Sequence, residues 1–341
     1  LVSESKFMSH TCSASVVRLS TWPRRRSSNV SSVNSLAVRS RRLPSRWALR
    51  LARSISRSAR RSCVPPPLAA LAAPAWAQTT PPATEAAPAA ASLLTGNLGL
   101  FSSYRFRGID QTFGKPALQG GIDYAHESGF YLGNWNSNVS SGAGFPDGNL
   151  EMDFYGGYKA TFGDVGLDVG AIYYYYPGSY ARGLGLGANS GTVNNKEIYI
   201  GGSWKFLSLK YFYAVDDYFS LRGLNSAGPT DKSTKGTQYL DFSVNYDLGD
   251  GWGINGHVGR LNLKNVRNGD YTDWKLGVSK DIKGWVLALS YVDSNAKGRC
   301  RDGEPYCFTN SMSDNGGVVS VGSHSKDAGR GIGVLSVSRT F

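Results

Sequence analysis

Arg105 and Arg107, in the stretch YRFRG, stand two residues apart, as do Glu151 and Asp153 in NLEMDF. On an extended strand, residues i and i+2 share a face, so each pair sets like charges side by side. Asp123, Lys159, Asp168, Glu197, Lys205, Lys210, Asp241 and Lys275 stand in the same way among alternating apolar neighbours. Charges of both signs on one inward face would set a transverse field across a narrow lumen and sort small solutes by charge. The alternative is that they pair inside a filled barrel and hold it rigid. Arg105 and Arg107 would select anions in the first case and act as counter-ions for Glu151, Asp153 and Glu197 in the second, the role slightly favoured here.

Other reactive side chains offer less. After residue 77 the histidines are His126, His257 and His324. None sits beside a serine and carboxylate arrangement recognisable in sequence, so no catalytic residue is assigned and hydrolysis is not expected. Cys300 and Cys307, in RCRDGEPYCF, lie in a long polar stretch, and in an oxidising compartment they would form a local disulfide. Two thiols lack the further ligands of a metal site, and neither metal nor cofactor is expected. The glycine-rich GLGLG at 183–187 falls in a loop and is not read as a phosphate cradle.

The elements that would position these residues are strands. No apolar run reaches the ~18–20 residues of a membrane-spanning helix. Alternation with period two recurs in about twelve blocks: 94–106, 115–125, 130–139, 149–162, 164–176, 196–206, 207–216, 236–248, 251–263, 271–281, 284–293 and 329–341. Connections after even-numbered blocks are tight, and those after odd-numbered blocks are mostly long. That layout predicts an all-β fold, a transmembrane antiparallel β-barrel of about twelve strands with short periplasmic turns and long extracellular loops. A soluble sandwich would carry mostly charges on its polar faces, whereas these carry Gly, Ser, Asn and Tyr. Aromatics fall into two belts on the outward phase. Tyr104, Trp135, Tyr173 and Tyr175 are expected at the outer level, and Trp204, Trp252 and Trp285 at the periplasmic level. In the run YYYYPG, Tyr174 and Tyr176 then face the lumen.

The net charge of +12 is misleading. Of 37 Lys and Arg, 14 lie in residues 1–77 with Glu4 as the single acid, leaving 23 bases and 24 acids in 78–341. The remainder is close to neutral, and nucleic-acid binding has no support. Residues 1–77 read as a non-folded basic presequence ending in a signal peptide, with cleavage after Ala75-Trp76-Ala77. The chain's opening on Leu1 fits upstream sequence read through from a wrong start over about the first 50 residues. Residues 78–92 form a Pro/Ala linker, and the barrel is expected over 93–341.

Several of these blocks resemble the TorF-type porin family of bacterial outer-membrane proteins. The resemblance is carried by NLGLFSSYRFRGIDQTFGKPALQGGIDYAHESGFYLGNWNSNV (97–139), NLEMDFYGGYK (149–159), DVGAIYYYYPG (168–178) and EIYIGGSWKFLSLKYFY (197–213). It implies a Gram-negative outer-membrane barrel and a passive channel for small hydrophilic solutes, embedded in outer-membrane lipid. It brings no substrate and no catalytic residues. Phe341, with Val337 and Leu335 at alternate positions upstream, resembles the C-terminal signal read by the barrel-assembly machinery; Arg339 departs from that pattern. The competing expectation is a plugged barrel whose loops, chiefly 294–328, bind a ligand or surface partner.

Overall fold

The computed structural model describes residues 93–181, 191–316 and 318–341. The expected presequence, signal peptide, linker and GLGLG loop lie outside these residues. Twelve strands form a closed antiparallel barrel: β1 (Leu94–Phe101), β2 (Ala117–Ala125), β3 (Phe130–Asn138), β4 (Leu150–Phe162), β5 (Val165–Tyr175), β6 (Asn194–Trp204), β7 (Leu207–Ala214), β8 (Gln238–Gly249), β9 (Trp252–Asn262), β10 (Tyr271–Ile282), β11 (Trp285–Ser294) and β12 (Ile332–Thr340). Each strand pairs with its neighbours in sequence, and β1 closes on β12 with Leu98 opposite Arg339 and Leu100 opposite Val337. Closure leaves no open sheet edge.

The meander follows from local chemistry at one end. Its tight turns put Gly129, Gly163, Lys205, Asp250, Gly251, Lys283 and Gly284 at positive φ, the conformations that two-residue hairpin turns need. The other end carries the long loops, which fold over and into the barrel. Within them, the short hairpin Cys307–Thr309 with Ser325–Asp327 and the hairpin Met312–Asn315 with Val318–Val321 build the segment after β11.

Burial is inverted relative to a water-soluble protein. Leu98, Leu100, Leu118, Ile122, Leu132, Ile200, Leu276 and Leu289 point outward and are exposed. A continuous apolar belt of this size far exceeds the patches that a monomer keeps in water, and it matches an apolar surrounding. The core lies inside the barrel at the loop end, where Phe106, Phe145, Tyr174, Tyr176, Tyr218 and Phe219 are fully buried together.

The parity expected for the first strand stops at Phe101. From Ser102 the chain turns inward, pinned by the Ser102 N–H donating to Leu335 O and the Leu335 N–H donating to Ser102 Oγ. Residues 102–116 then fold into the lumen around the hairpin Arg105–Phe106 with Ile109–Asp110. Arg107 and Gly108, at φ 47° and 81°, form its tip. Glycine is required there, because a Cβ would come within 2.6 Å of Asp273 Cβ.

Three expected positions are corrected. Tyr104 is not a girdle residue: it lies in the inserted loop, 2% exposed. Trp135 is likewise internal, 3% exposed, because Phe130 and Leu132 set the outward phase of β3 and leave Tyr131 and Trp135 facing inward. The two rings pack edge to face at 5.6 Å. Lys205 does not face the lumen, since β6 ends at Trp204 and Lys205 occupies the exposed turn with its ammonium 4.8 Å from the Trp204 ring. The chain turns at Lys205-Phe206, earlier than the boundary between the blocks 196–206 and 207–216.

Candidate lumen site

Asp123, Glu151, Asp153, Lys159, Asp168, Glu197, Lys210, Asp241 and Lys275 lie on the inward phase of their strands. Arg105 and Arg107 are also inside the barrel, on the inserted hairpin instead of on β1. Tyr173 and Tyr175 sit on the outer face with rings stacked at 5.9 Å, and Tyr174 and Tyr176 point inward. Trp204, Trp252 and Trp285 are exposed on the outer face near the tight turns.

The inward groups form three networks. At the loop end Arg107, with no exposed surface, donates from Nη1 and Nη2 to the two carboxylate oxygens of Glu197 at 3.0 and 2.8 Å. Nη1 also donates to Tyr218 Oη at 3.0 Å, and the guanidinium lies 4.1 Å from the centre of the Tyr239 ring. A planar fork on a carboxylate and an aromatic face is a geometry that arginine fits and lysine does not. Beside it, Tyr176 donates to Glu151 at 2.9 Å, while neither oxygen of the fully buried Asp153 meets a donor. Among the described residues no three His, Cys, Asp or Glu side chains are grouped to hold a metal ion.

Along β2–β7 a second network fills the lumen. Tyr131 and Lys210 both donate to Asp168, at 2.6 and 2.7 Å, Tyr131 also bonds Tyr199, and Tyr155 donates to Asp123 at 2.6 Å. On β8–β10, His257 lies between two carboxylates, with Nδ1 3.0 Å from Asp241 and Nε2 2.8 Å from Asp273. Both ring nitrogens are thus engaged, and the ring bridges three strands. Neither nitrogen is left to act as a base on Ser243, whose hydroxyl donates to Asp241 instead. At the exposed rim, Lys196 lies 2.9 Å from Asp216 and holds that carboxyl below its usual range. Water screens such a pair, which contributes little stability.

The opposite wall is thin. Ala288, Ser290, Ser336 and Ser338 on β11 and β12 leave a cavity of about 70 Å³ under the hairpin, with Ser103, Tyr104 and Arg105 among its lining. The lumen is therefore eccentric: one side is packed with tyrosine and charge, and the other keeps this small cavity beneath the inserted loop.

Sequence reasoning missed the inward tyrosines Tyr131 and Tyr199, although parity with Glu197 could have found Tyr199. It also missed the hairpin, whose signal was the Arg-Gly pair at its tip.

Residues 85–316 match the profile of a family described as bacterial protein of unknown function (Gcw_chp). The chain belongs to this family. No curated protein matches it. Among solved structures, this Gcw_chp chain is similar to the KdgM porin, at 10% identity over 73% of this chain and 98% of that one, with a TM-score of 0.38. It is also similar to the NanC porin, at 10% identity over 73% and 98%, with a TM-score of 0.41. A third is OmpT of Vibrio cholerae, at 10% identity over 73% and 97%, with a TM-score of 0.33.

The segment after β11 carries a disulfide between Cys300 and Cys307, which brackets a one-turn 3-10 helix at Cys300–Asp302. A closed loop this short is worth about 2–3 kcal/mol to local order. Reduction is expected to speed proteolysis between residues 295 and 331 while leaving the barrel's folded migration on gels unchanged. Loss of folded migration would mean that the loop helps to hold the barrel closed.

Proposed function

We propose that this chain is a TorF-type porin of the Gram-negative outer membrane, a narrow passive channel for small hydrophilic solutes with its outer mouth closed by the hairpin of residues 102–116. The reading is supported above all by the unevenly filled lumen. A barrel filled only for rigidity has no reason to place small side chains along one wall, directly beneath the inserted hairpin. The small-residue wall of β10–β12 would be the path, and the Arg107–Glu197 seat would be the gate. In this reading the tight turns face the periplasm, lipid surrounds the apolar belt, and the mature protein starts at Gln78.

A second reading has its own support. Arg107 is wholly buried and doubly bonded, as expected of a permanent plug, and function would then pass to the external loops. Single-channel recording in a planar bilayer separates the two. Discrete steps from the mature protein, with ion selectivity altered in the Arg105→Ser/Arg107→Ser double variant, support the channel. A silent barrel that still migrates faster unboiled than boiled supports the plug.

A further inference from the structure

The outer face of β3 departs from the apolar belt that the other strands build. Among the described strands, outward positions more than two residues from a strand end carry apolar, aromatic or glycine residues, with Asn134 as the exception. Asn136 follows on the same face, two residues from the end of β3. In register, Asn134 lies between Ile122 and Phe154, and Asn136 between Gly120 and Met152. Ile122 and Phe154 are exposed to the belt's surroundings, as is Leu132 one step along β3.

The wall satisfies these two amides incompletely. Asn136 commits both N–H groups, to Asn134 Oδ1 at 2.6 Å and to Gly120 O at 3.4 Å, and Asn134 commits one N–H to Asp153 O at 3.0 Å. A carboxamide has two N–H donors and one acceptor oxygen. One N–H of Asn134 and the Oδ1 of Asn136 therefore remain without a partner among the described residues, on a face turned away from the lumen. Hydrocarbon offers no hydrogen bonds, so at this depth another polypeptide must complete them.

The remaining pair is self-complementary, because a donor beside an acceptor is matched by the same two groups turned through 180°. Two copies inserted in one direction are related by a two-fold axis along the membrane normal, and across such an axis a patch meets itself. We propose that the outer wall of β2–β4 is the contact face of a homodimer in the membrane, with Asn134 Nδ2 of each copy donating to Asn136 Oδ1 of the other. Ile122, Leu132, Met152 and Phe154 pack around the two bonds. The inference rests on the apolar surroundings of the barrel and not on conduction.

The test uses the protein purified from outer membranes and reconstituted in lipid vesicles. Met152→Cys, beside Asn136, and Val258→Cys, outward on the opposite wall at β9, are each oxidised with copper phenanthroline; Cys300 and Cys307 are already joined. A covalent dimer is expected at Met152→Cys, at least about tenfold above Val258→Cys and unchanged when more lipid is added. Asn134→Leu/Asn136→Leu removes the matched groups and should weaken association at least about tenfold in sedimentation equilibrium, with folded migration on gels intact. The crosslinking arm keeps both asparagines, so it decides even where the double variant misfolds. Equal crosslinking at the two positions, crosslinking that falls in proportion to added lipid, or a double variant that associates like the parent would each overturn the proposal. A barrel that conducts as a monomer sinks the dimer and leaves the channel reading standing; a stable dimer that never conducts does the reverse.

Discussion

Glu197→Gln is expected to raise the open probability of the channel in planar bilayers by about two orders of magnitude. The guanidinium of Arg107 and the carboxylate of Glu197 are both desolvated in the seated hairpin and joined by two bonds of 3.0 and 2.8 Å. Removing one partner from such a pair leaves an uncompensated buried charge, at a cost of about 3–5 kcal/mol. The cost falls on the seated state alone, because an unseated Arg107 meets water. About 3 kcal/mol shifts the equilibrium roughly a hundredfold. The strand ladder holding the barrel is untouched, so folded migration should persist. The decisive control is Arg107→Leu combined with Glu197→Leu. Replacing both charges with apolar groups is often neutral, so the double variant should close again. If Glu197→Gln conducts no more than the parent, the hairpin is not a gate. If the double variant stays as open as the single one, something other than the buried charge controls it.

How much of this site was legible depended on where one alternation rule held. In β8, Leu240 and Phe242 face out and Tyr239 and Asp241 face in, as parity alone dictates, because the strand is straight and one face meets an apolar surrounding. In the first block the same rule misled, since Tyr104, Arg105, Phe106 and Arg107 continue the alternation of β1 after the chain has left the barrel wall. The two-residue period belongs to any extended segment, and nothing local distinguishes a strand in the wall from a hairpin in the lumen. Trp135 departs from the expected belt for another reason: Phe130 and Leu132 on the opposite phase set the outward face and outweigh its ring. The outward Asn134 and Asn136 are tolerated because Asn136 donates to Asn134 and to the carbonyl of Gly120, and Asn134 donates to the carbonyl of Asp153. The bridging of His257 by Asp241 and Asp273 was out of reach of single-strand reasoning, since it depends on the registers of β8, β9 and β10 together.

The barrel's surroundings are best tested at Leu276. It lies near the middle of β10, points outward and is 66% exposed, between Trp274 and Val278 on the same face. Leu276→Arg is expected to reduce stability by about 2–4 kcal/mol when unfolding is followed in urea from lipid vesicles, because an arginine at the bilayer midplane loses its hydration. Tyr173→Arg, at the loop end of the same outer face, should cost only about 0–1 kcal/mol, since its guanidinium reaches the headgroups. The contrast between the two carries the information, as both replace an outward apolar or aromatic side chain with the same charge. In a soluble barrel the order would vanish, because an exposed leucine in water can become arginine at almost no cost. Equal, small effects at the two positions would therefore remove the membrane from the account, and with it the channel. A penalty that grows toward the middle of the strand would place the apolar belt across hydrocarbon and leave the lumen as the barrel's one aqueous route.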